Sequence, residues 1–170
     1  MNKAHNTAMR RRSLSHPFQL ALSEGLVMKH MTVLDYGCGR GDDVRRLQNR
    51  GYLVCGYDPH FFPGAPREPS DVVALNYVLN VIEKPQDRVA VLREAARLVQ
   101  HLLIVAVRYD VAPKRGWKWH GDGFVTASGT FQKPYTPGTF QRFLRKHFDG
   151  YGWQWTLKGN VAFIKPLKVG

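Results

Sequence analysis

Val33-Leu34-Asp35-Tyr36-Gly37-Cys38-Gly39-Arg40-Gly41 decides the fold. A short apolar run, predicted as a strand over Thr32 to Tyr36, enters a turn containing three glycines. The turn feeds a predicted helix from Asp42 to Asn49, with acids in its first turn and arginines later, the order that the helix dipole favours. Glycines at such a turn let the backbone come close to a ligand and to the next helix. Alone, the turn says little, because the same geometry holds a phosphate on a helix N-terminus in many proteins.

Two acids sharpen the reading. Asp35 lies at the strand end before the glycines, where it would repel a phosphate but suit the charged amino end of an amino-acid cofactor. Asp58 follows 23 residues later, at the tip of a second predicted strand over Tyr52 to Tyr57. A carboxylate at that tip can accept both hydroxyls of a ribose. Together they favour S-adenosylmethionine over a nicotinamide dinucleotide. The plainer alternative is an ordinary strand–helix turn with Asp35 and Asp58 as caps. The cofactor reading gathers Asp35, Tyr36, Gly37, Cys38, Gly39, Asp42, Asp58 and Pro59, with Asn76 and Tyr77 beyond the next strand.

Outward from this segment, strands and helices alternate, the pattern of a parallel sheet. A third strand is predicted over Asp71 to Leu75, an amphipathic helix over Pro85 to Gln100, and a nearly all-apolar strand over Leu102 to Val107. An all-apolar strand is covered on both faces. Only twelve proline-rich residues separate Asp58 from Asp71, too few for a crossover helix and another parallel strand. The expected fold is therefore α/β and Rossmann-like, with six strands and one edge strand missing. Thr136-Pro137 opens a further helix to about His147, and residues 153–157 and 161–165 flank Lys158-Gly159-Asn160 as a closing antiparallel hairpin. At the N-terminus, a short helix is expected within Ser15 to Met28, capped by Ser15. Residues 1–30 are thus a basic arm with a short helix, and residues 31–170 a single domain, the size one core can fill.

Charge is segregated. Of the net +12, residues 1–30 carry +4, residues 31–110 carry none, and residues 111–170 carry +8. Basic ends around a neutral middle fit a polyanionic partner, or else a solubility surface. Arg10, Arg11 and Arg12 lie in the arm; Lys114, Arg115 and Lys118 alternate with Trp117 and Trp119 in a loop after the last parallel strand. Cations interleaved with tryptophans suit phosphates and stacked bases of a nucleic acid. No apolar run approaches a membrane span. Cys38 and Cys55 fall in regions read as buried sheet and lack metal-ligand spacing; a reducing cytoplasm fits them.

Asp35 to Asp43 (DYGCGRGDD) and Gly56 to His60 (GYDPH) resemble motifs of class I methyltransferases, and Asp71 to Glu83 resembles the region after the fourth strand of such enzymes. With His120 to Tyr135 (HGDGFVTASGTFQKPY), these segments are similar to the methyltransferases associated with DNA phosphorothioation, over about Ser13 to Tyr135. Members of that family carry a large additional C-terminal region that this sequence does not. The resemblance implies a methyltransferase fold, S-adenosylmethionine as methyl donor, and DNA modification as a setting. Enzymes that methylate exocyclic amines of bases often carry Asp/Asn-Pro-Pro-Tyr after the fourth strand; Asn76-Tyr77 keeps an Asn and a Tyr without the prolines. Asn76, Tyr77, His120 and Asp122 are the candidate catalytic residues, the last two as proton acceptor or substrate orienter. A small-molecule or protein acceptor, or a cofactor-binding module without catalysis, remain alternatives.

Overall fold

A computed structural model describes residues 3–167 of the chain. In chain order, a 3-10 turn (Ala4–Thr7) and helix α1 (His16–Ser23) precede β1 (Thr32–Tyr36), α2 (Asp42–Asn49), β2 (Leu53–Tyr57) and β3 (Ser70–Asn76). Then come α3 (Pro85–Leu98), β4 (Val99–Ala106), the short strands β5 (Lys118–His120), β6 (Gly123–Val125) and β7 (Phe131–Gln132), α4 (Pro137–Phe148), β8 (Trp153–Lys158) and β9 (Val161–Pro166). The main sheet has six strands in the order β2-β1-β3-β4-β9-β8. Its first four strands are parallel, and β9 runs antiparallel to both β4 and β8.

Alternation along each strand explains why the sheet is covered twice. In β3, Val73 and Leu75 face α3 and α4, packing with Leu92, Ala95, Phe140, Leu144 and Phe148. Val72 and Ala74 face the other way, onto Phe18 and Ala21 of α1 and Val44 and Leu47 of α2. Each such fully buried Leu or Phe contributes about 1.5–3 kcal/mol. Helix α1 therefore shares a core with the sheet.

The connection from β2 to β3 carries no strand, only an isolated bridge between Asp58 and Phe62, as its length requires. That shortage has a second effect. With no helix over the outer part of that face, Leu53 and Cys55 on edge strand β2 are exposed while Val54 between them is buried against α2. Cys55 is thus not the buried residue predicted from the apolar run, and both cysteines are free thiols.

Helix boundaries follow local chemistry. Thr136 caps α4 through a reciprocal capping box with Thr139, worth about 1 kcal/mol. Ser15 occupies the N-cap of α1, but its hydroxyl makes no capping bond; its backbone N–H donates to Asp43 instead. The region after β4 folds into a three-stranded antiparallel sheet, β5-β6-β7. In the first strand of the closing hairpin, Trp153 packs on Phe148 and the Trp155 indole donates to Asp149, while Tyr151 stays exposed ahead of the strand. The two tryptophans therefore cover α4. Among the described residues, no helix is long and apolar enough to cross a membrane.

Candidate active site

Strand order reverses between β1 and β3, because β1 is followed in space by β2 on one side and β3 by β4 on the other. Parallel α/β sheets bind ligands at the carboxyl ends of the strands at such a switch point. A cavity of about 950 Å³ opens there, lined by Asp35, Tyr36, Gly37, Cys38, Gly39, Asp58, Pro59, Asn76 and Tyr77.

The turn after β1 is held by its own backbone. The Gly37 and Cys38 N–H groups donate to the Tyr57 carbonyl, at 2.7 and 3.0 Å. Gly37 has φ of 84°, and a Cβ there would sit 2.5 Å from Val78 Cγ2, so both its conformation and its neighbour require glycine. At the tip of β2, Asp58 accepts from the N–H groups of His60 and Phe61 through Oδ1 and from Gly39 through Oδ2. It closes the turn that follows β2, and it also faces the cavity, with acceptor capacity left on Oδ2, since Oδ1 already takes two N–H groups.

Asp35 is only 3% exposed and has no hydrogen-bond donor or ion-pair partner among the described residues. Burial first, then the neighbouring Asp43, push its carboxyl well above the usual carboxylate range; Arg11 pulls the other way, and Asp58 adds to the rise. Asn76, at the end of β3, buries both amide atoms without a partner. Buried polar atoms are almost always hydrogen-bonded, so orphans lining a cavity mark a place where a ligand completes the bonding.

Tyr77 has φ of 62°, the single non-glycine residue at positive φ among those described. Its N–H donates to the Ala106 carbonyl, which fixes the turn leaving β3, and its ring lies under the Arg11 guanidinium, 5.3 Å from the centroid. Burial raises its hydroxyl above the ordinary tyrosine range, against hydrogen bonding with Asn160. Strained backbone of this kind clusters at ligand clamps and switch regions, and Tyr77 lines the cavity.

Three predicted residues lie elsewhere. Asp42 is not in the cavity wall: it accepts from the Arg11 backbone N–H at 2.8 Å and pairs with Arg45. Successive residues on a helix are about 100° apart, so Asp43 turns inward in its place. His120 is exposed on β5 and meets Glu83 at 2.9 Å. Asp122 accepts from both terminal nitrogens of the buried Arg88 and from Lys133, and neither His120 nor Asp122 reaches the cavity. Burial by itself raises the Asp122 carboxyl, but the bonds from Arg88 and Lys133 outweigh it and bring it down to about 2. A carboxylate so held is a poor proton acceptor near neutrality.

Several cavity residues escape the sequence reading. Where it predicts a basic arm, Ala4, His5, Thr7, Ala8 and Met9 line the cavity, with His5 stacked on His60 at 3.9 Å and 14°. Below them, Glu94 of α3 accepts from the Tyr36 hydroxyl at 2.7 Å and pairs with Arg67. Asn80 is buried and ties the loop after β3 to the Arg108 N–H and the Lys133 carbonyl. Outside the cavity, Arg88 had a visible signal: it shares the stripe of Leu92 and Ala95 at helical spacing, and a charge on an apolar stripe must find a partner.

A family described as a methyltransferase domain matches residues 7–151. The chain belongs to the methyltransferase-domain family. Among solved structures, the 1,6-didemethyltoxoflavin-N1-methyltransferase of Burkholderia thailandensis, with bound 1,6-didemethyltoxoflavin and S-adenosylhomocysteine, is similar to this methyltransferase. It is 17% identical over 98% of this chain and 80% of its own, with a TM-score of 0.59. Magnesium protoporphyrin IX methyltransferase from Synechocystis PCC 6803, with bound S-adenosylmethionine, matches 88% of this chain and 76% of its own at 17% identity and a TM-score of 0.54. A chain of the Pnkp1/Rnl/Hen1 RNA repair complex matches 89% of this chain and 42% of its own at 14% identity and a TM-score of 0.58. No curated protein matches the sequence. At these identities the shared property is the fold, a Rossmann-like sheet of class I methyltransferases. S-adenosylmethionine is the methyl donor of such enzymes, and the cavity fits it: Asp35 suits an ammonium, Asp58 a ribose, and the Asn76 amide a polar group of either.

Proposed function

We propose that this methyltransferase binds S-adenosylmethionine in the crevice between β1 and β3 and transfers its methyl group to a nucleic acid. The observation that carries the cofactor reading is the pairing of a buried, unpartnered Asp35 with the orphaned amide of Asn76 across one cavity. Bound there, the cofactor supplies an electrophilic methyl group, and transfer is an in-line displacement that needs alignment above all. The chain's own residues would supply that alignment: Asp35 holds the amino-acid end and Asp58 the ribose, Gly37 allows close approach, and Asn76 and Tyr77 form the wall facing an acceptor. We assign Asn76 and Tyr77 as the residues that orient substrate; His120 and Asp122 act on the flanking sheet rather than on the reacting atoms.

The acceptor reading rests on charge and exposure. Trp119 is 62% exposed, and Lys114, Arg115 and Lys118 beside it are exposed too, as are Arg10 and Arg12 of the arm. None of these five cations has a carboxylate partner among the described residues. The similarity to methyltransferases associated with DNA phosphorothioation supports DNA as the polymer, and an RNA repair complex among the fold's relatives supports RNA. One observation favours a small-molecule acceptor instead: the arm narrows access to a cavity large enough for a second compact ligand.

Labelled methyl donor offered to DNA, RNA, protein and small-molecule fractions separates these readings. Transfer to a polynucleotide is expected, with binding that weakens steeply with salt through counterion release. Changing Lys114, Arg115 and Lys118 together to Ala should lower the salt slope by about 0.9 for each phosphate no longer neutralised. Label confined to small molecules, or no polymer binding at low salt, overturns the nucleic-acid reading. Cofactor binding without transfer to any fraction leaves a binding module.

A further inference from the structure

Three arginines line the cavity: Arg11, Arg67 and Arg108. Two are committed. Arg67 pairs with Glu94, and Arg108 forks onto both oxygens of Asp110, at 2.9 and 2.8 Å. The Arg11 side chain has no carboxylate partner and no hydrogen bond among the described residues; it rests over the Tyr77 ring. Its backbone, by contrast, is fixed on both sides: the N–H donates to Asp42 and the carbonyl accepts from Arg46. Exposure alternates along this stretch. Arg10 and Arg12 are exposed, and Arg11 is half-buried and turned inward.

We infer that Arg11 is the counter-ion for the carboxylate of the cofactor's amino-acid end, opposite Asp35, which takes its ammonium. The inference rests on the cofactor reading above and extends it to a residue that the sequence groups with a nucleic-acid arm. An amino acid carries both charges on one carbon, so its site needs an anion and a cation a few ångströms apart. Asp35 and Arg11 supply that pair of charges: both line one cavity, neither has an ion-pair partner among the described residues, and the guanidinium is near enough to be felt at the Asp35 carboxyl. A guanidinium presents parallel N–H donors that match a carboxylate, and a ring beneath it holds its plane. Because the arm is anchored through Asp42 and Arg46, both on α2, the strap and the glycine turn are one unit. Arg11 can therefore be placed by the same helix that begins the cofactor turn.

The test compares two ligands, S-adenosylmethionine and its decarboxylated form, which differ by that carboxylate alone. Titration calorimetry gives both dissociation constants for the wild type, Arg11→Gln and Arg11→Lys. The wild type should prefer the carboxylate-bearing ligand roughly 10- to 100-fold, the scale of a charge-assisted hydrogen bond. Arg11→Gln should lose most of that preference while binding the decarboxylated ligand about as well as the wild type. Arg11→Lys, which keeps the charge but not the fork, should retain part of it. Both substitutions leave the backbone bonds to Asp42 and Arg46 in place, and thermal melting checks that the fold survives. If the wild type binds S-adenosylmethionine but Arg11→Gln weakens both ligands alike, or neither, Arg11 is not the counter-ion and the cofactor reading stands. If the wild type binds neither ligand, the cofactor reading falls and this inference with it.

Discussion

Two aspartates, each within two residues of a glycine in the sequence, live in opposite conditions. At the cavity floor, Asp35 is buried and meets no donor. On the flanking three-stranded sheet, Asp122 is partly exposed and meets Arg88 through two nitrogens and Lys133 through one. The difference is instructive because burial raises both carboxyls, and the donors around Asp122 reverse that for it alone. A carboxylate saturated by donors holds structure together. A buried carboxylate without donors costs stability, and that cost is tolerated where a ligand brings the missing cation.

The largest effect is expected on the saturated side. Arg88 has a side chain only 5% exposed and also donates to the Ile82 and Glu83 carbonyls. Arg88→Met should lower unfolding free energy by roughly 3 kcal/mol, since it orphans two carbonyls and leaves Asp122 with Lys133 alone. A urea titration measures it; a loss below about 1 kcal/mol would show that the three-stranded sheet is held by something else.

On the ligand side, Asp58→Ala should weaken S-adenosylmethionine binding by about 1.5–3 kcal/mol, the scale of losing charge-assisted hydrogen bonds. Asp58→Asn should fall between, because its remaining oxygen can still accept from the His60 and Phe61 N–H groups. An unchanged dissociation constant for Asp58→Ala removes Asp58 from the cofactor site.

Asp35→Asn should move two measurements in opposite directions. Cofactor affinity should drop about tenfold or more, while the free protein gains ~1–2 kcal/mol of stability at neutral pH. The sign follows from the raised carboxyl. A group whose folded pKa exceeds its unfolded value, about 3.9, costs stability as pH rises through that interval, and the amide variant lacks this slope. A variant that is both less stable and unchanged in binding would reverse the contrast drawn between the two aspartates.

The smallest effect is the pH dependence of Asp122. Its carboxyl is lowered to about 2, so its contribution is complete above about 4 and fades as pH falls from there toward 2. Partial exposure screens it, leaving about 1 kcal/mol or less. The difference in stability between wild type and Asp122→Asn should shrink over that window and stay level above it.

Much of the sheet was readable because its signals are local. Strand β1 and helix α2 have the predicted limits, and α4 starts at its Thr136 cap, because a glycine turn, paired acids and a Thr-Pro cap act within a few residues. The missing strand was readable too, since chain length sets what a connection can span. The exposure of Cys55 was not readable, because the apolar run around it signals a buried strand and only the fold shows that its face is left uncovered.

The sequence by itself determined the α/β order, the glycine turn, and the acids at the tips of β1 and β2, because each depends on neighbours along the chain. Only the tertiary structure decided which charges are paired. Arg10, Arg11 and Arg12 are equivalent as letters, but anchoring to Asp42 and Arg46 turns Arg11 alone into the cavity. Asp122 looked free until β7 brought Lys133 beside it and α3 brought Arg88. Pairing of charges is a matter of distance in space, and residues 34 positions apart, such as Arg88 and Asp122, meet only when the sheet and its helices have closed.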